Sequence, residues 1–109
     1  MPIANCIVLP DCSAKEGDLI DMWARESGVA PDHMTVNVIE SQQQFGNSYK
    51  VMATLYLPTL WSEEKTNALQ LGLATSLVQY FGVAPNEVHV ITTVVDSGFV
   101  VENMKIERW

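Results

Sequence analysis

The chain has few positive charges, few cysteines and no long apolar run, and each shortage excludes a class of function. Six lysines and arginines stand against 13 aspartates and glutamates, for a formal net charge of −7. This balance argues against nucleic acid or an anionic membrane as the main partner, because both are negatively charged. No apolar run approaches the roughly 18–20 residues of a membrane span, and no signal-peptide pattern opens the chain. We therefore expect a cytoplasmic protein.

Metal-ligating side chains are equally scarce. Cysteine and histidine occur twice each, as Cys6, Cys12, His33 and His89. Their spacing matches no recognisable metal site, so we expect no metal, no cofactor and no structural disulfide. Strand alternation places Cys6 on a core face, whereas Cys12 falls in the turn before the first predicted helix.

What the chain does contain is enough apolar sequence for one packed domain. Its 109 residues are 48% hydrophobic, which is ample for a core. Only 17% are charged. We therefore expect part of the surface to be covered by another subunit.

An internal repeat is the strongest organisational pattern. Gly28-Val29-Ala30-Pro31-Asp32 recurs as Gly82-Val83-Ala84-Pro85-Asn86, an offset of 54 residues between positions 28 and 82. Each copy follows a helical segment and precedes a β-rich one. In both, the glycine is expected to end the helix, and the proline to prevent its resumption.

The helices follow from capping and periodicity. The first is expected to begin at Ser13, where Ser13-Ala14-Lys15-Glu16 has the capping-box pattern, and to run to about Ser27. Leu19, Met22, Trp23 and Glu26 fall at 3- and 4-residue spacings, so we expect the buried stripe of this helix to be short. The second is expected to begin at Ser62. Its inner face is then marked by Leu69, Leu73, Leu77 and Phe81.

Four strands complete the two units. They are expected at Ile3–Leu9, Met34–Ile39, Val51–Leu57 and Val88–Val95, with a polar loop from Glu40 to Ser48. The pattern predicts one α+β domain over residues 1–109, with pseudo-repeats at about 2–40 and 49–95 and a C-terminal strand and tail over 96–109. Short loops and right-handed crossovers place two helices on one face of a four-stranded mixed sheet, a two-layer sandwich. A ferredoxin-like sheet has a similar list of elements, and the sequence leaves the strand order open.

Pro2 is the candidate catalytic residue. If Met1 is removed, as is usual before a small second residue, the Pro2 nitrogen becomes a free secondary amine. An α-amino group has a pKa of about 7.7–8.0 in model peptides, and desolvation lowers the pKa of a cationic amine. That range suits a general base near neutral pH.

The Met-Pro start, the repeated β-α-β unit and the helix closed by Gly-Val-x-Pro together resemble the tautomerase superfamily. The opening Pro2-Ile3-Ala4 resembles 4-oxalocrotonate tautomerase, and the fused pair of units is similar in layout to macrophage migration inhibitory factor. Ser62-Glu63-Glu64-Lys65 resembles malonate semialdehyde decarboxylase. The resemblance implies a homotrimer with pockets near subunit boundaries. It also implies proton transfer next to a carbonyl of a small molecule, with Pro2 as the base.

The sequence departs from this family at the arginines that hold a substrate carboxylate. Cys12 and Trp61 stand at those positions, and Val29 stands where macrophage migration inhibitory factor has a lysine. The only arginines are Arg25, expected on the outer face of the first helix, and Arg108. We therefore expect a smaller or aromatic enol, or a monoanion, rather than a dianion.

Four residues are candidates for binding the substrate: His89, Trp61, Tyr56 and Glu102. His89 stands where the resemblance implies a pocket tyrosine or arginine, and its alternative is a solvent-facing strand histidine. Glu102 resembles the water-orienting carboxylate of cis-3-chloroacrylic acid dehalogenase, and its alternative is a solvated tail carboxylate. For the aromatic side chains of Trp61 and Tyr56, packing in the core or an interface is the alternative.

The predicted function is therefore that of a tautomerase or isomerase acting through Pro2 on a small 2-keto acid or its enol. A Pro2-dependent hydratase or dehalogenase is one alternative. A non-catalytic trimeric binding or signalling protein of the same fold is another, and the missing arginines favour it. Phe99 to Val101 also reads as a short extra strand after the turn at Asp96-Ser97-Gly98, suited to pairing with a neighbouring subunit's sheet edge.

Overall fold

The computed structural model describes residues 1–12 and 16–109, and two β-α-β units form its main body. In the first unit, strand β1 (Ile3–Val8) leads through helix α1 (Leu19–Ser27) to strand β2 (Thr35–Glu40). The second unit has strand β3 (Val51–Pro58), helix α2 (Glu63–Phe81) and strand β4 (Val88–Val95). A hairpin of β5 (Val100–Glu102) and β6 (Lys105–Glu107) follows.

The four long strands form one mixed sheet in the order β2-β1-β3-β4. Within each unit the two strands are parallel, and β1 and β3 join the units as an antiparallel pair. The predicted α+β fold class is confirmed. The strand order is also settled, because a ferredoxin-like sheet would interleave the strands of the two units, whereas here each unit keeps its own strands adjacent.

The core lies between the sheet and the helices, as strand alternation predicts. Every second residue of β1 and β3 faces inward and is buried, including Cys6 and Leu55. From α2, the predicted inner-face residues are all buried: Leu69, Leu73, Leu77 and Phe81. In the part of the chain that the structure describes, no helix covers the opposite face of the sheet.

Helices α1 and α2 pack unusually close at one point. Trp23 of α1 is fully buried, and its Nε1 donates a hydrogen bond to the Leu69 carbonyl at 2.9 Å. Nearby, a Cβ added to Gly72 would lie 3.0 Å from the Ser27 amide nitrogen. Glycine at this position therefore permits the two helix backbones to approach.

Helix α1 begins at Leu19, so the predicted start at Ser13 was wrong. Its N-cap is Asp18, whose Oδ1 accepts from the amides of Ile20 at 3.0 Å and Asp21 at 3.3 Å. Gly17 just before it has φ +137°, which no helical residue adopts. Three residues of the predicted capping box, 13–15, lie outside the described residues. The helix also buries Ser27 in place of the exposed Glu26.

The predicted ends of the helices are confirmed. Gly28 and Gly82 cap α1 and α2 in the left-handed conformation, with φ of +71° and +64°. Ser62 caps the start of α2, because its Oγ accepts from the Lys65 amide at 3.2 Å. Among the described residues, neither helix is long and apolar enough to cross a membrane.

The short C-terminal strand exists, but it finds a partner within its own chain. β5 pairs with β6 in an antiparallel hairpin whose turn residues, Asn103 and Met104, have φ of 53° and 61°. Two residues in the left-handed conformation form a two-residue turn whose twist matches the twist of the two strands that it connects. One edge of β5 is thereby used inside the chain, and pairing of its other edge with a neighbouring subunit's sheet stays a prediction.

Candidate functional site

A cavity of about 450 Å³ opens beside Pro2, a volume ordinary for small-molecule sites. Four segments meet around it. They are the N-terminus, the loop after α1, the turn from β3 into α2, and the C-terminal hairpin. The first copy of the repeat forms part of this cavity. Gly28 ends α1, and residues 28–30 then turn back toward the start of β1.

Pro2 is fully buried, and the backbone fixes its position. Its carbonyl oxygen accepts a hydrogen bond from the Thr35 amide at 3.0 Å, which extends the β1–β2 ladder by one residue. Met1 is half-buried and also lines the cavity. Met1 and Pro2 therefore lie side by side at the cavity.

One part of the lining is apolar. It consists of Pro58, Leu60 and Trp61 in the β3–α2 turn, together with Val100 of the hairpin. Trp61 was predicted as a substrate-binding residue from the sequence, and it lies here with Pro2. An apolar lining disfavours the charged form of an amine.

Lys65 supplies the positive charge at this cavity. Its Nζ lies 5.7 Å from the centroid of the Trp61 ring, a cation–π contact. Neither arginine lines the cavity in the described chain, and Lys65 is the one lysine among its lining residues. Sequence reasoning missed it as a site residue, although Ser62 as N-cap and Trp61 four residues earlier give its position in the first turn of α2.

Glutamates on the hairpin supply negative charge. Glu102, a predicted site residue, lines the cavity with Glu107, and His33 lies at the edge nearest the first unit. His33 was not singled out from the sequence; the Pro31–His33 turn that follows α1 carries it there. With two carboxylates and one lysine, the lining disfavours a dianionic ligand.

Tyr56 and His89 lie outside this cavity in the single chain. Tyr56 pairs with Ile3, on the helix-free face of the sheet. His89 pairs with Met52 of β3. Met52 precedes Tyr56 by four residues, so His89 lies about 13 Å further toward the other end of the sheet. His89 stacks on Tyr49 with ring centroids 4.6 Å apart.

The two cysteines are free, and neither lines the Pro2 cavity. Burial raises the pKa of the Cys6 thiol to about 11. Burial, and then the neighbouring Asp11, raise the pKa of Cys12 as well. Both thiols therefore stay protonated at neutral pH, which is unfavourable for a nucleophile. Over residues 1–12 and 16–109, no three potential metal ligands converge.

Comparisons with known proteins place the fold. Neither a family model nor a curated protein matches the sequence. Solved structures match over almost the whole chain. Pt0534 inactivated by 2-oxo-3-pentynoate is 16% identical, with a TM-score of 0.69, and the match covers 96% of this chain and 94% of that one.

Two further structures have a higher TM-score. The symmetric trimer of a wild-type fused 4-OT is 12% identical at a TM-score of 0.76, over 96% of this chain and 94% of that one. N1, a member of the cis-3-chloroacrylic acid dehalogenase family, is 13% identical with a TM-score of 0.76, and the match covers 96% of this chain and 82% of that one. The chain therefore has the tautomerase superfamily fold, as its sequence motifs indicated.

Proposed function

We propose that this chain is a tautomerase or isomerase that uses the Pro2 nitrogen as a general base on a small 2-keto acid or its enol. The observation that carries the proposal is the burial of Pro2 at a small-molecule-sized cavity with an apolar wall. The fold supports it, since other chains with this fold include one inactivated by a 2-keto acid.

The reaction needs a neutral amine and a carbon acid. Once Met1 is removed, the Pro2 amine faces an apolar wall that lowers its pKa toward the working range of a base. It takes a proton from the carbon next to the substrate carbonyl, and the bonding electrons move into the enolate. The prolinium then returns that proton to another carbon or to oxygen, so the base is regenerated.

Lys65 is the residue that would stabilise the charge developing in this step. Its ammonium, held over Trp61, offers a donor to a substrate carboxylate or to the enolate oxygen. With Glu102 and Glu107 in the same lining, the proposed substrate is a monoanion.

A hydratase or dehalogenase is the second candidate, favoured by the presence of Glu102 and Pro2 at one cavity. In that reaction Glu102 would orient a water for addition to the substrate. Glu102→Gln discriminates the two, because tautomerisation needs no water. The substitution should leave ketonisation within about threefold of wild type, whereas a hydratase would lose at least about a hundredfold.

We also propose that the chain is a homotrimer with its pockets near subunit interfaces. The helix-free face of the sheet exposes Ile7, Ile39 and Ile91, and a fused 4-OT with this fold is a symmetric trimer. His89 and Tyr56 lie on this same face, where a neighbouring subunit would bring them close to another chain's cavity. Light scattering should give about three times the 12.1 kDa chain mass, and a monomer would contradict the shared pocket. A cytoplasmic location stays a prediction.

The test of the proposed function is ketonisation of phenylpyruvate enol, a monoanion, followed by ultraviolet absorbance. Mass spectrometry first establishes that Met1 is absent from the sample. Pro2→Ala should lower kcat/KM at least about tenfold, since a primary amine replaces the secondary one. Pro10→Ala, at an exposed proline away from the cavity, is the matched control. Equal rates for wild type and Pro2→Ala would exclude the mechanism, and a trimer without any turnover would favour the binding or signalling protein.

A further inference from the structure

The C-terminal hairpin forms one wall of the Pro2 cavity, yet little of it is buried. Val100, Glu102 and Glu107 line the cavity, and so does Trp109, which follows the hairpin. Elsewhere on the hairpin, Phe99 is 79% exposed and Met104 is 93% exposed. The packing of Phe99 and Met104 against the body of the chain therefore contributes little to the position of this wall.

One hydrogen bond joins the hairpin segment to the body of the chain. The Trp109 Nε1 donates to the Thr59 Oγ1 at 2.8 Å. Over the residues that the structure describes, no other hydrogen bond links residues 97–109 to residues before 96. The position of the hairpin wall thus depends on this contact and on the chain connection through residue 96.

Both ends of this hydrogen bond are themselves fixed. Thr59 stands between Pro58 and Leu60, which line the cavity from the β3–α2 turn, and its amide donates to the Val95 carbonyl at 3.0 Å. At the other end, the Trp109 amide donates to the Ser97 Oγ at 2.8 Å, so the residue is tied back to the start of the hairpin segment. A constraint at the Trp109 ring therefore acts on the hairpin as a whole.

We propose that Trp109 and Thr59 are positioning residues of the Pro2 site. Their hydrogen bond holds the hairpin wall against the β3–α2 turn and thereby sets where Val100, Glu102 and Glu107 stand at the cavity. The catalytic consequence rests on the proposed function. The structural claim, that this hydrogen bond holds the hairpin in place, does not depend on the proposed function.

The test uses three variants of the full chain. Thr59→Val removes the hydroxyl and keeps the side-chain shape, whereas Thr59→Ser keeps the hydroxyl. Trp109→Phe removes the N–H donor and keeps an aromatic ring. For each protein, amide hydrogen exchange is measured by mass spectrometry after short labelling times. The peptides compared are those that cover residues 97–109 and those from α2.

Hairpin exchange should be about five- to tenfold faster in Thr59→Val and Trp109→Phe, the range that loss of one hydrogen bond allows. Exchange in Thr59→Ser should stay near wild type, and exchange in α2 should not change. Equal hairpin exchange in all four proteins would overturn the proposal, because something other than this bond, such as a neighbouring copy, would then hold the wall.

Enzyme kinetics test the positioning role separately. KM should rise about three- to tenfold in Thr59→Val, at a position that does not line the cavity, with kcat within about twofold, and Thr59→Ser should keep KM near wild type. A loosened hairpin with unchanged KM would overturn the positioning role. Absence of Pro2-dependent turnover in wild type would instead contradict the proposed function, while the exchange data would still decide whether the bond holds the hairpin.

Discussion

The Pro2 carbonyl oxygen accepts a hydrogen bond from the Thr35 amide at 3.0 Å, so the proposed base is fixed by the backbone at the start of the parallel pair β1–β2. The nitrogen of the same residue is left for chemistry. Because this bond uses only main-chain atoms, a side-chain substitution at position 2 preserves it. A change in rate after such a substitution therefore reports on the amine rather than on the fold.

Replacing Lys65 should weaken substrate binding. Lys65→Met removes the positive charge and keeps the length of the side chain, so the KM for a monoanionic 2-keto acid should rise about tenfold. This figure allows for the exposure of the lysine to solvent. Steady-state kinetics measure it, with Lys65→Arg expected to retain most of the affinity.

Glu64→Gln is the matched control for Lys65, since Glu64 lies in the same helical turn and does not line the cavity. It should leave KM close to wild type. If Lys65→Met and Glu64→Gln give the same KM, the lysine does not bind the substrate.

Gly72→Ala should destabilise the fold. Glycine to alanine within an exposed helix stabilises by about 1 kcal/mol. Here the new Cβ would lie 3.0 Å from the Ser27 amide nitrogen, and overpacking of this kind costs about 1–3 kcal/mol. Urea unfolding should therefore show a lower free energy of unfolding for this variant.

The control for Gly72 is Leu71→Ala on the exposed side of the same helix, which should change the free energy of unfolding by no more than about 0.5 kcal/mol. A Gly72→Ala protein more stable than wild type would show that the helices do not pack as described.

Cys6 should make the fold sensitive to alkaline pH. Burial raises the pKa of its thiol to about 11 from an ordinary value of 9.0, so the folded state favours the protonated thiol. The stabilisation is fully present below pH 9 and is lost as pH rises through 11, a change of about 2–3 kcal/mol.

Cys6→Ala should remove this part of the pH dependence, whereas Cys12→Ala should keep it. Chemical unfolding at several pH values between 8 and 11 measures the slope for each protein. Identical slopes in wild type and Cys6→Ala would show that this thiol does not titrate with folding.

Much of the fold could be predicted because its determinants are local. Gly28 and Gly82 end their helices through their own conformational freedom, and the inner face of α2 follows from periodicity. The predicted start of α1 was wrong because Asp18, five residues after Ser13, supplies the N-cap, and Gly17 just before it is not helical. The partner of β5 required knowledge of a turn formed by two non-glycine residues.

The candidate site was predictable only where chemistry marks a residue by itself. Pro2, Trp61 and Glu102 were found from the sequence and meet at one cavity. Lys65 was missed because its role depends on the cavity that the β3–α2 turn creates. Tyr56 and His89 lie on the open face of the sheet, and only the assembled oligomer can test their predicted role.

The central claim is that the free Pro2 amine is the base, and the most direct test compares two forms of the same chain. One is trimmed of Met1, and the other retains Met1, as verified by mass spectrometry. The two share every side chain of the site from residue 2 onward, but in the second the Pro2 nitrogen is an amide without basicity. We predict that ketonisation by the Met1-bearing form is at least about a hundredfold slower than by the trimmed form. Equal rates for the two forms would contradict the assignment of Pro2 as the catalytic base.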